Sequence, residues 1–502
     1  MRIVRREVSP EALAALPDDL HPLLKRIYAA RKVMASRELE KTLNRLQPPG
    51  ELRGMAAAVA LLEEAIRRQR RILIVGDFDA DGATSSALGV RALKALGAGE
   101  VGYLVPNRFE YGYGLTPEIV QVAARREPWL LVTVDNGISS LQGVRAAREK
   151  GMRVLVTDHH LPGRELPDAD AIVNPNQPQC GFGSKCIAGV GVIFYVMTAL
   201  RAKLREGNWF EERGIPVPNM AAFLDLVALG TVADVVPLDH TNRILVEQGL
   251  KRIRAGQASA GVLALAQVAG VDSRRITATD IGFRLGPRLN AAGRLEDMSF
   301  GIETLLCDDL QEARKRAAQL DRLNRERQAI EEEMRQQALA DLERLELDKQ
   351  SLPFGLCLYD EGWHQGVIGI LAARIREQTH RPTIAFAPDK DGMIKGSARS
   401  VPGLHIRDAL DAVAAKHPGL VMKFGGHAMA AGLSLEGARF GEFQVAFDRE
   451  VRRWLGEEDI CEIIHSDGNL SPPELCLETA EVLREAGPWG QGYPEPTFDG
   501  VF

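Results

Sequence analysis

No stretch of this chain stays apolar for the length a membrane helix needs, and the N-terminal "MRIVRREVSP" has no apolar signal segment. A cytoplasmic protein without membrane association is expected. Cysteine is scarce, and Cys180, Cys186, Cys307, Cys357, Cys461 and Cys476 never form a Cys-x-x-Cys pair. That argues against structural zinc and leaves buried, reduced thiols. Positive charge is not in excess either. A net charge of −6 argues against a general polyanion binder, although a local patch can act against the global sum, so nucleic acid is neither demanded nor excluded. The G-x-G-x-x-G turn of a dinucleotide-binding fold is also missing, because the first strand-to-helix turn reads "GDFDADG". A nicotinamide-dependent oxidoreductase is thereby excluded.

What stands in that turn is three aspartates, Asp77, Asp79 and Asp81, at alternate positions after the aliphatic run Ile72, Leu73, Ile74, Val75. Carboxylates so close repel by roughly 4 kcal/mol per pair at about 4 Å and an effective dielectric near 20, so a cation is expected among them. The spacing opens like an EF-hand loop, but the twelfth position from Asp77 is Leu88, which cannot ligate calcium, and the preceding run reads as a strand where an EF-hand needs a helix. A strand end, a glycine turn and the helical "GATSSALGVRALKALG" instead open a βαβ unit, whose ligands lie beyond the carboxyl ends of the strands.

A chain of 502 residues exceeds one ordinary core, so two or three domains are expected. Residues 1–45 read as a helical arm, ended by "QPPGEL". Strand and helix patterns then alternate over 46–307, pointing to a mostly parallel sheet covered by helices. Residues 308–347, free of Gly and Pro and dense in charge, predict a long solvated helix connecting two domains. A smaller α/β domain is expected over 348–455, and a further segment, 456–502, ends within an apparent strand, so a continuation is expected.

Three strand ends carry acidic or imidazole groups: "GDFDADG", "VDNG" with Asp135 and Asn136, and "TDHH" with Asp158, His159 and His160. In a parallel sheet these ends share one edge. Asp234, in the apolar "ALGTVADVVPL", is a fourth acid unsuited to a casual surface role. Singly, each has an ordinary explanation, a helix N-cap for an Asp or a structural role for a His. Together they suit manganese, magnesium or zinc, with Mn²⁺ favoured where carboxylates and imidazole mix, and their number allows two ions. A metal pair about 3.5–4 Å apart is a device for phosphoester hydrolysis, and it needs a bridging carboxylate.

"DFDADG", "DNG" and "DHH" in this order, with "ALGTVADVVPL", "RLGPRLNAAGRL", "GSARS" and "KFGGHAMAAG", resemble the DHH phosphoesterase superfamily from about Arg71 to Leu433. "PNRFEYGYGL", "EGWHQGVIGI" and "GPWGQGYPEP" narrow the resemblance to its single-strand-specific 5′→3′ DNA exonucleases. The resemblance implies a DHH domain over 46–307, a DHHA1 substrate domain over 348–455 and the start of an OB-like β module in 456–502. It implies two Mn²⁺ or Mg²⁺ ions held by Asp79, Asp81, Asp135, His159 and Asp234, with Asp77 direct or through water and Asp135 bridging. His160 would face the scissile phosphate, and Asp158 would orient the histidines.

Gly425, Gly426 and His427, with Ser397, Arg399 and Ser400, are candidates for holding the terminal nucleotide phosphate, since glycines let backbone amides approach it. Arg108, Arg288, Asn290 and Arg294 read as phosphate or backbone contacts, structural ion pairing being the alternative. A crevice between the two α/β domains is the expected channel for a single strand. The implied activity is release of 5′-mononucleotides from single-stranded DNA in repair and recombination, by a monomer, with a single-stranded-DNA-binding protein and a RecQ-type helicase as partners. Rival readings are a phosphodiesterase of small nucleotides, whose chains are typically shorter, and a non-catalytic replication scaffold, which would have lost metal ligands that are all present here.

Overall fold

In the computed structural model, residues 2–107, 114–344 and 352–500 are described. After a first strand, β1 (Arg2–Arg5), the described chain is helical until the aliphatic run becomes β2 (Ile72–Val75). Alternation with helices then yields β3 (Val101–Leu104), β4 (Leu130–Val134), β5 (Arg153–Thr157) and β6 (Ala171–Val173). These five strands form one wholly parallel sheet in the order β3-β2-β4-β5-β6. Every residue of β2 and β4 is buried, as a parallel sheet with helices on both faces requires, which is why these runs are apolar but for Thr133.

The chain leaves β2 for β3 and returns on the other side of β2 as β4. This reversal opens a crevice at the carboxyl ends of β2 and β4, the place where open α/β sheets bind ligands. Register pairs Val75 with Thr133 and Val134 with Thr157, so the turns after β2, β4 and β5 emerge side by side.

The chain divides into two compact units, Arg6–Asn324 with the segment from Asp467 onward, and Arg325–Ser466 with β1. The division falls inside one long helix, Leu310–Arg344, within the stretch read as a Gly- and Pro-free connector. The smaller unit adds β7 (Leu356–Tyr359), β8 (Thr383–Pro388), β9 (Met393–Arg399), β10 (Lys423–Gly426) and β11 (Ala430–Glu436). Their sheet is mixed, β10-β11-β9-β8-β7, with only β7 and β8 parallel.

A last strand, β12 (Ile463–Ser466), pairs in parallel with β1. The N-terminal arm therefore opens as a strand where a helical reading was expected, because its ladder partner lies at the far end of the chain. Beyond β12 the chain forms a helix, Leu477–Ala486, and packs onto the larger unit. Buried Asp467 takes two bonds from Arg31 (2.7 and 3.1 Å), Tyr28 donates to the Ala486 carbonyl, and Trp489 stacks on Tyr493 at 5.2 Å.

Candidate active site

The acid loop after β2 enters the crevice and ends by starting the helix Ala80–Ala95, whose first turn Asp79 caps through a bond from the Gly82 amide (3.0 Å). One Asp79 oxygen is thus structural, as an ordinary N-cap would be. Asp77, Asp79 and Asp135 nevertheless bring oxygens within 4.8 Å of one another. A second trio, Asp81, His159 and Asp234, and a third, Asp135, His159 and His160, meet the same limit. His159 Nε2 sits at the centre, 3.1 Å from Asp135 Oδ1, 3.5 Å from Asp234 Oδ2 and 4.0 Å from Asp81 Oδ2. The six groups read from the sequence as a metal shell therefore gather in one place. Asp234 reaches it from the last turn of the helix Leu224–Ala233.

Burial, reinforced by the charge of Asp79, pushes Asp81 up to about 7 although the Gly189 and Val190 amides both donate to it. Burial and then the charges of Asp81, Asp79, Asp234 and Asp77 hold Asp135 well above the carboxylate range, and Asp234 is raised by burial and by the neighbouring acids. The Gly189 and Val190 amides and the nearby His160 offset this only in part, since Asp81 stays raised. Asp234 Oδ2 is buried and, among the described residues, accepts no hydrogen bond. A set of hard carboxylate oxygens with imidazole fits two divalent ions of the Mn²⁺ or Mg²⁺ type.

Asp158 works behind this cluster. Its Oδ1 accepts from the His159 amide (2.7 Å), the His160 amide (3.1 Å) and His160 Nδ1 (2.8 Å), while Oδ2 accepts from the Ile138 amide (2.9 Å). Burial alone would raise Asp158, but the hydrogen bond and charge of His160 bring it below the ordinary value. Burial likewise pulls His160 down, yet Asp158, Asp77 and Asp79 outweigh it and lift the imidazole to about 9. The Nδ1 contact to Asp158 fixes the orientation of the His160 ring beside Asp135 and His159.

Two positioning groups were missed by the sequence reading. Asn174 and Asn176, just past β6, donate to the His160 and His159 carbonyls (2.9 and 2.6 Å) and fix the histidine loop. Asn136 ties the neighbouring turn to the Val75 and Val134 carbonyls (3.1 and 2.9 Å).

Gly189 opens the helix Gly189–Glu206, and a Cβ there would lie 2.8 Å from Asp135 Cβ and 2.9 Å from its Oδ1. Asp135 stands at φ 62 and has little freedom to retreat. Gly189→Ala should therefore displace the central carboxylate and lower turnover by about 100-fold, as a misplacement near 1 Å does. A Mn²⁺ titration of activity checks this, and an unchanged half-saturating concentration would contradict it.

Among the expected substrate contacts, Asn290 serves the acid loop, its Oδ1 accepting from the Ala80 amide (2.8 Å). Arg288 bonds Asp321 through Nε (2.8 Å) and the Arg284 carbonyl through Nη1 (2.7 Å). Arg294 is half-buried in the last turn of the helix Gly286–Leu295. Arg108 lies outside the described residues.

In the smaller unit, Arg399 Nη1 donates to Ser397 Oγ (3.0 Å) on the same face of β9. A Cβ at Gly369, in the first turn of the helix Ile368–Thr379, would lie 2.9 Å from Arg399 Nη2, so the guanidinium is seated against a helix N-terminus. Burial, then the nearby Arg376, holds Arg399 below its ordinary value, which is uncompensated positive charge suited to an anion. Register aligns Ser397 with Gly432 and Gly432 with Gly425, and Gly425 has open space where a side chain would stand. Gly426 adopts φ +149, where a Cβ would meet the Ala430 carbonyl at 2.4 Å, and His427, next in the hairpin, is exposed. Ser400 corrects the sequence reading: it is fully buried and donates to the Leu404 carbonyl (2.8 Å), closing a turn instead of facing a nucleotide.

The sequence matches the DHH family, N-terminal domain, over residues 71–231 and the DHHA1 domain over 353–453. It is 58% identical over 493 residues to the single-stranded-DNA-specific exonuclease RecJ of Dickeya dadantii, covering 98% of this chain and 86% of that one. The structure is similar to RecJ of Thermus thermophilus in complex with Mn²⁺ (TM-score 0.81, 34% identity, 99% of this chain and 69% of that one). It is also similar to the same protein in complex with Mg²⁺ (TM-score 0.74, 32% identity, 99% and 67%). An acid and imidazole cluster at the switch point of a parallel sheet, the two matched domains and this identity over nearly the whole chain show that the chain belongs to the RecJ family of single-stranded-DNA-specific exonucleases.

Proposed function

We propose that the chain is a divalent-metal-dependent exonuclease that hydrolyses single-stranded DNA in the 5′→3′ direction to 5′-mononucleotides. The observation that carries this is the meeting of Asp77, Asp79, Asp81, Asp135, His159 and Asp234 at adjacent strand ends and one helix end. Two ions held by these residues would supply an activated nucleophile and neutralise charge on the phosphodiester. His160, charged at neutral pH and held through Nδ1, donates from Nε2 to a non-bridging phosphate oxygen. Asp158 keeps that ring turned correctly while spending both its own oxygens on the loop. Ser397, Arg399, Gly425, Gly426 and His427 receive the terminal phosphate, where Arg399 offers a fork of donors and the glycines leave the backbone bare. Arg294 contributes positive charge to the strand's path, whereas Arg288 is taken up by its ion pair with Asp321.

The same reading extends to a role in DNA repair and recombination in the cytoplasm, by a monomer working with a single-stranded-DNA-binding protein and a RecQ-type helicase, and the family resemblance supports it. Among the described residues no helix is long and apolar enough to cross a membrane. Digestion of end-labelled DNA tests the central reading. A 5′-labelled single strand should give labelled mononucleotide at once, a 3′-labelled strand should shorten progressively, a blunt duplex should resist, and a chelator should stop the reaction. Early release of a 3′ label, or duplex cleavage at a comparable rate, overturns it.

A further inference from the structure

Phe283 is 80% exposed, unusual for a phenyl ring, and it stands in the middle of a π-helical turn, Ile281–Leu285. Such turns break the regular ladder and are found most often at functional sites. The turn is packed against the acid cluster's own supports. A Cβ at Gly282 would lie 3.4 Å from Val232 Cγ1, and one at Gly286 3.1 Å from Ala233 Cβ, in the helix end that presents Asp234. The helix that continues from it, Gly286–Leu295, bonds the acid loop through Asn290 and Ala80.

Next to Asp234, Val235 is 63% exposed at φ 61, a conformation that a β-branched residue adopts only under constraint. Two exposed apolar side chains thus stand on the elements that border the acid cluster, one of them strained. Arg284, beside Phe283, is half exposed and only loosely paired with Asp280 at 3.8 Å.

These elements border the place where a bound strand's phosphate would sit, so they are within reach of the bases next to it. We propose that Phe283 is a stacking platform for a base of the bound single strand, with Val235 extending the apolar surface and Arg284 meeting a backbone phosphate. Stacking on a ring face accepts every base, which suits a nuclease that reads no sequence. It also requires an unpaired base, so the ring would discriminate against duplex ends. This rests on the single-strand exonuclease reading and names a residue that sets its preference.

The experiment compares the full chain with Phe283→Ala, Phe283→Leu and Phe283→Trp on a single-stranded oligonucleotide and on copies with one abasic residue at successive positions. In the parent, one abasic position should raise KM about tenfold. Phe283→Ala and Phe283→Leu should raise KM about tenfold on the intact strand, with kcat little changed, and should no longer respond to that abasic position. Phe283→Trp should restore the parent pattern. Because the ring is exposed, melting temperatures should not move. Intact-strand KM unchanged in Phe283→Ala, an undiminished response to every abasic position, or full function in Phe283→Leu overturns the stacking role while leaving the nuclease reading in place. A parent that digests no oligonucleotide sinks the nuclease reading itself, and the stacking role with it.

Discussion

Asp135→Asn is expected to leave a folded protein that binds single-stranded DNA and turns it over at least about 100-fold more slowly with Mn²⁺, since loss even of an outer-shell partner costs 10–100-fold. The substitution suits the site. Asparagine has the same shape and tolerates the left-handed backbone that Asp135 holds at φ 62. It replaces a carboxyl whose ionisation burial and Asp81, Asp79, Asp234 and Asp77 all oppose, so the metal-free variant should melt no lower than the parent and higher at pH values where Asp135 would ionise. It also takes away the carboxylate 3.1 Å from His159 Nε2 that lies in two of the three donor groups. Loss of turnover with retained or raised melting temperature separates a role in holding ions from a role in holding the fold. Substantial turnover in Asp135→Asn would remove Asp135 from the centre of the mechanism.

The parallel sheet was legible because its central strands are buried on both faces and so read as nearly unbroken aliphatic runs. Once the strands are parallel, topology alone carries the acids after β2, β4 and β5 to a single edge. That is why Asp77, Asp79, Asp81, Asp135, Asp158, His159 and His160 could be grouped from the sequence, though far apart in it. What could not be read is the backbone and amide support: the Gly189 and Val190 amides on Asp81, or the Asn174 and Asn176 bonds to the histidine loop. A backbone amide is present at nearly every residue, so its use leaves no mark in residue type, and an asparagine in a polar loop is too common to single out.

Ser400 shows a different failure. In β9, Ile394, Gly396 and Ala398 are buried while Ser397 and Arg399 face out, and Ser400 continues the buried set. The two-residue period of a strand contained that distinction, but Ser397, Arg399 and Ser400 were read together as phosphate contacts without regard to which face each would take. The pairing of β1 with β12 had no local signature, because each strand is four residues long and its partner is at the other terminus.

Metal uptake by the protein should expel protons at neutral pH, roughly one to three per chain, because the carboxyls that would hold the ions are raised by burial and mutual repulsion, Asp81 to about 7. Calorimetric titration with Mn²⁺ at pH 7, in two buffers of different ionisation heat, reads that number directly. The same shifts fix how stability depends on pH. Unfolded aspartates release their protons near pH 4, whereas Asp81 in the metal-free fold keeps its proton until about pH 7. Over that window the folded state binds more protons than the unfolded one, so these groups make metal-free stability fall as pH rises.

His160, raised to about 9, acts in the same direction over a later window, its contribution being full below about pH 6.5 and lost through about pH 9. Bound ions reverse the first trend, since they bind the deprotonated carboxylates and meet less proton competition at higher pH. Saturating Mn²⁺ should therefore raise the melting temperature more at pH 8 than at pH 6, and Asp135→Asn should lose most of that difference. Equal stabilisation at the two pH values, with no proton release, would mean that the cluster does not hold the ions as carboxylates.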